Sequence, residues 1–87
     1  MSDDTLLEFP CDFPIKVMGR QHDDFPGLVL ELIAAHAGPV DDDRVSHRLS
    51  RDGNFLAVTV MLRAESKAQL DAIYSTLSAH ERVLMVL

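Results

Sequence analysis

From Ile15 to Gln21 the chain alternates, with Ile15, Val17 and Gly19 on one side and Lys16, Met18 and Arg20 on the other, the period-two pattern of a half-buried strand. From Phe25 the period lengthens. Phe25, Leu28, Val29, Leu32, Ile33 and His36 recur at the spacing of a single apolar stripe on a helix. Asp23 or Asp24 is expected to cap its start, with Pro26 in the first turn, where a missing N–H costs nothing. Gly38 is expected to end it with a positive φ and Pro39 to block its continuation, leaving Asp41-Asp42-Asp43 as a solvated loop.

Two further alternating stretches, Arg44 to Arg51 and Asn54 to Ala64, flank Asp52-Gly53, a two-residue hairpin signal. Pairing Arg51 with Asn54 sets every later partner: Val45 faces Val60, His47 faces Val58, and Leu49 faces Leu56. These residues, with Leu62, form one apolar face. The other face pairs Arg44, Ser46, Arg48 and Ser50 with Met61, Thr59, Ala57 and Phe55. Ser66-Lys67-Ala68-Gln69 has the spacing of a capping box and opens a second helix with the stripe Leu70, Ile73, Tyr74 and Leu77. Val83 to Leu87 is a closing strand, apolar on both faces.

The order is βαββαβ. One apolar face per strand and two one-sided helices predict an α+β, ferredoxin-like sandwich, with both helices on one face of a four-stranded antiparallel sheet in the order 4-1-3-2. Residues 1–14, with Phe-Pro pairs at Phe9-Pro10 and Phe13-Pro14, are expected to form an extended arm, and residues 15–87 the single domain. Strand four falls at an edge, which the Leu6-Leu7-Glu8-Phe9 arm or a second subunit is expected to cover.

Composition adds limits. A chain of 87 residues, 47% hydrophobic and 25% charged, suits one small globular domain rather than a disordered segment. At this size burial on folding reaches only roughly 60 to 65% of the unfolded surface, which favours a homodimer. The lone Cys11 forms no internal disulfide and has no basic neighbour to activate it. With no signal-peptide pattern and no apolar run of membrane-spanning length, the expected location is the cytoplasm and no membrane contact is expected.

The chain carries a net charge of −6, yet five of its eight Lys and Arg residues fall on the sheet face that the helices leave open. Lys16, Arg20, Arg44, Arg48 and Arg63 lie there with Met18, Phe55 and Met61, a candidate face for a protein partner. RNA is disfavoured as the ligand: Phe55 is the only aromatic there, and Ala57 stands where a second stacking residue would be needed. A second candidate lies at the strand–helix junction, where Gly19, His22, Asp24 and Gly27 could admit an amino acid or small carboxylate at a helix N-terminus. The four histidines lack metal-ligand spacing, and neither a metal nor a cofactor is expected. His36 and His47 are expected to be partly buried. No nucleophile–base pair, phosphate loop or paired carboxylates stand out, so catalysis is not expected.

Several segments together, Leu6-Leu7-Glu8-Phe9-Pro10, Lys16-Val17-Met18-Gly19, Gly53-Asn54 and Met85-Val86-Leu87, resemble the YbeD-like family of small uncharacterised bacterial proteins. That resemblance covers nearly the whole chain. It implies a ferredoxin-like fold similar to ACT regulatory domains, and no established catalytic activity. The expected function is therefore a non-enzymatic regulatory or ligand-binding ACT-like module, with an adaptor acting through the open sheet face as the alternative.

Overall fold

A computed structural model describes residues 8–87. The elements are β1 (Cys11–Arg20), α1 (Phe25–Ala37), a 3-10 turn (Asp42–Arg44), β2 (Val45–Leu49), β3 (Phe55–Ala64), α2 (Lys67–Ala79) and β4 (Val83–Val86). The sheet is antiparallel throughout in the order β2-β3-β1-β4, the predicted 4-1-3-2 read from the opposite edge. Alternation puts Ile15 and Val17 of β1 and Leu56, Val58, Val60, Leu62 and Ala64 of β3 on the helix side. Phe25, Val29 and Ile33 of α1 and Leu70, Ile73 and Leu77 of α2 complete the core over them.

The domain begins earlier than its proline pattern suggests. β1 starts at Cys11, so residues 11–14 belong to the sheet rather than to an arm ending at Pro14, with Cys11 opposite Ala64 and Phe13 opposite Leu62. Pro14 does not interrupt the strand because of the side its nitrogen faces. Lys16 exchanges both backbone hydrogen bonds with Leu87, so Pro14, two residues earlier, turns its nitrogen to that same side and away from the β3 ladder, which therefore loses no donor.

The hairpin register is the predicted one, with Val45 opposite Val60, His47 opposite Val58 and Leu49 opposite Leu56. The turn differs. Gly53 has φ +80 but Asp52 has no positive φ, which excludes the expected two-residue mirror-image turn. The chain instead turns over Ser50 to Gly53, with the Gly53 N–H donating to the Ser50 carbonyl at 3.0 Å. The Asp52 carboxylate accepts from the Ser50 hydroxyl at 2.8 Å and from the Asn54 N–H at 3.0 Å, and the Ser50 hydroxyl oxygen accepts from the Phe55 N–H at 3.0 Å. Both arrangements enclose the same pairs, which is why the register is right.

β2 departs from expectation in burial. Val45 is half-buried, and Ser46 to Leu49 are exposed on both faces, His47 included. The helix layer rests on β1, β3 and β4 and stops short of this edge. His36, also expected to be partly buried, is exposed, its Nε2 2.7 Å from the Thr76 hydroxyl of α2.

At the head of α2 the Ser66 hydroxyl accepts from the Gln69 N–H at 3.0 Å. The Gln69 carboxamide oxygen reaches one residue further back than in a standard box, accepting from the Glu65 N–H at 2.8 Å, while its nitrogen donates to the His36 carbonyl. Among the described residues β4 pairs with β1 alone, leaving its outer edge bare. Leu6 and Leu7, expected as a cover for that edge, lie outside the described residues; Glu8 is exposed and Phe9 packs against the core.

Candidate functional site

The four residues expected to line a ligand site at the first junction part company in the structure. Gly19 is buried. A Cβ built there would meet the Phe25 ring at 2.5 and 2.6 Å and the Arg82 carbonyl oxygen at 2.7 Å, so this glycine makes room for packing and not for a ligand. Gly27 is exposed, with nothing within 4 Å of such a Cβ.

Asp24 occupies the N-cap position of α1, yet its side chain caps nothing. Both carboxylate oxygens go to Arg82, at 2.6 and 3.1 Å, and one also meets His22 Nδ1 at 2.7 Å. Hydrogen bonding to Arg82 holds the Asp24 carboxyl below its ordinary range and raises Arg82 in turn. Arg82 also lies over the Phe25 ring at 5.9 Å. The Arg82 N–H donates to His80 Nδ1 at 3.1 Å, fixing the turn that aims the guanidinium. No local motif marks Arg82, since it lies 58 residues from Asp24. The one signal in the sequence is topological: strands one and four are neighbours, so the start of the last must lie beside the end of the first.

The open sheet face assembles as the alternation predicts, in rows across the strands. One row carries Arg48, Ala57, Met18 and Met85, and the next carries Thr59 and Lys16 with Leu87 bonded beside them. On the other side, Phe55 lies opposite Arg20, whose guanidinium stacks 5.7 Å from the ring centroid. Towards the far end, Arg44 donates to the Met61 carbonyl and pairs with Asp12 at 3.2 Å, and Arg63 stands 3.6 Å from the same carboxylate. The basic face is therefore divided. Arg44 and Arg63 share an acid, whereas Lys16, Arg20 and Arg48 have no carboxylate within salt-bridge distance among the described residues.

The same face exposes apolar surface, Met61 at 38%, Met85 at 50% and Leu87 at 60%. Met85 and Leu87 were missing from the predicted face. The apolar run of strand four carried that information, because a strand apolar on both faces must show one of them outside.

Among the described residues no group of His, Cys, Asp and Glu is placed to hold a metal ion, and no helix is long and apolar enough to cross a membrane. Cys11 is a half-buried free thiol.

Strand order, two helices packed on one face and, among the described residues, an uncovered second face define a ferredoxin-like α+β domain. The solution structure of protein HP0495 from H. pylori shares this fold, with a TM-score of 0.68 at 16% identity over 93% of this chain and 85% of that one. The chain belongs to the family described as Protein of unknown function (DUF493), whose profile matches residues 4–87. This is the family to which the Leu6–Pro10 and Lys16–Gly19 motifs pointed. UPF0250 proteins are similar along their whole length: 45% identity over 84 residues in Paraburkholderia phymatum, covering 97% of this chain and 94% of the relative. The Nitrosomonas europaea protein NE1487 is 40% identical over 87 residues, covering all of both chains.

Proposed function

We propose that the protein is a non-catalytic adaptor that binds an acidic protein partner on its open sheet face. The observation that carries this reading is the set of Lys16, Arg20 and Arg48, which have no acidic partner among the described residues, interleaved with Met18, Phe55 and Met85 on a chain whose net charge is −6. Cations without acidic partners steer an acidic surface towards the face, and the apolar side chains between them supply the area that holds it. The β1–α1 junction supports an amino-acid site less well. Arg82 already takes both oxygens of the acid that would receive an amino group, and Phe25 fills the space at Gly19.

The test is affinity capture from a native extract, identification of the partner, and calorimetry with that partner purified. Phe55→Ala with Arg48→Glu should weaken binding by at least about tenfold, which corresponds to 1.4 kcal/mol. Glu31→Ala, on the exposed side of α1, should leave it unchanged. A partner that binds the double variant as tightly as the native protein refutes the proposal.

A further inference from the structure

Between Phe55 and Thr59 on β3 stands Ala57, the smallest side chain on the open face, and it is only 8% exposed because its neighbours rise around it. The result is a recess of about 380 Å³ with Ala57 as its floor. Met18 and Phe55 provide apolar walls, while Lys16, Arg48 and Arg51 stand at the rim. Arg20, stacked on the outer face of Phe55, adds a further cation beside it. The volume sits near the bottom of the roughly 300 to 1,000 Å³ range of clefts that engulf small ligands, and the recess is open across the sheet. That shape takes one side chain better than a whole small molecule.

We infer that this recess receives one bulky apolar side chain from an acidic segment of the partner, whose flanking carboxylates pair with Lys16, Arg20 and Arg48. The inference rests on the adaptor reading and specifies what is recognised. The charge complementarity is specific to the place: among the described residues the cations around the recess have no carboxylates of their own, whereas Arg44 and Arg63, further along the face, are held by Asp12. An acidic flank relieves their repulsion and leaves the apolar floor to select the central side chain. A nucleic acid would satisfy the cations equally well. It would gain little from a floor that offers one ring and no second stacking surface.

The probe is a short synthetic peptide with a central Phe flanked on both sides by glutamates, titrated into the isotope-labelled full chain and followed by amide shifts. Amides of Met18, Phe55 and Ala57 should move. Replacing the central Phe by Ala, or the flanking Glu by Gln, should each weaken binding by about tenfold. Ala57→Met, which fills the recess, and Arg48→Glu, an exposed position that leaves the core untouched, should both abolish the shifts. The inference is overturned if those amides stay still, if the Phe and Ala peptides bind alike, or if single-stranded oligouridine binds these residues more tightly than the peptide. A captured partner that still needs Phe55 and Arg48 while the peptide fails would reject this specification and leave the adaptor standing. A partner indifferent to both residues would remove the two together.

Discussion

Replacing Gly19 by alanine puts a methyl group where the Phe25 ring already stands. The contact would be 2.5 Å, about 0.9 Å short of ordinary van der Waals separation, and the Arg82 carbonyl oxygen at 2.7 Å blocks retreat on the other side. Neither obstacle yields easily, since Phe25 is wholly buried and the carbonyl is backbone of the residue that leads directly into β4. Overpacking of this kind costs about 1 to 3 kcal/mol, and two rigid obstacles place Gly19→Ala near the top of that range. A domain of this length has about 4 to 13 kcal/mol of stability, so the variant should fold but melt earlier by about 10 to 20 °C. Gly27→Ala, a few residues away in the same segment, meets open space and should be neutral or stabilising by up to about 1 kcal/mol, through helix propensity. Urea denaturation followed by far-ultraviolet circular dichroism measures both, with an unchanged m value marking a change in stability alone. If Gly19→Ala stays within about 0.5 kcal/mol of the native protein, or if Gly27→Ala is the more damaging of the two, the assignment of Gly19 to packing is wrong.

Three other outcomes follow from the hydrogen-bonding chemistry. Asp24 has a folded pKa below its ordinary 3.8, so its contribution to stability is present above that value and is lost as pH falls through the lowered one. In urea titrations Asp24→Asn should accordingly be less stable than the native protein at neutral pH, with the gap closing as the pH falls below the ordinary carboxylate range; a constant gap would deny the Arg82 pairing its role. Removing either the Ser50 or the Asp52 side chain should lower the denaturation midpoint, and the double variant should lower it by less than the sum because each group satisfies the other. Ser66→Ala should destabilise by about 1 kcal/mol through loss of the Gln69 N–H acceptor, read as a shift in denaturation midpoint, whereas Ser66→Asp should restore it.

Much of this architecture is local, and so it could be read from the chain. Alternation placed Lys16, Met18 and Arg20 on one side of β1 and Ile15 and Val17 on the other, and the hairpin register gave the rows of the open face residue by residue. What escaped depends on neighbours distant in sequence. Capping is a local rule and so claims Asp24, whereas its actual partner, Arg82, sits in the turn just before β4. Pro14 reads as a boundary because its tolerance depends on which neighbouring strand its nitrogen faces, and that is set by the distant pairing of Lys16 with Leu87. His47 and Leu49 lie on the side that the pattern predicted, but no pattern states how far a helix layer extends, and theirs is left uncovered. The recess was hidden for a related reason: Ala57 on its own signals a missing aromatic, and only its cross-strand neighbours turn a small side chain into a depression.

The uncovered edge at β2 bears on motion as well as on binding. Its five residues are held by the ladder to β3 on one side, with little packing above or below, so the strand has little to lose when it detaches and belongs among the first parts of the domain to open. Arg48 travels with it, so the rim of the recess can loosen while β1 and β3, which carry the floor and the apolar walls, stay fixed. An occupied recess would tie this strand down, and slower hydrogen exchange along Val45–Leu49 would then report on occupancy without any reporter group on the partner.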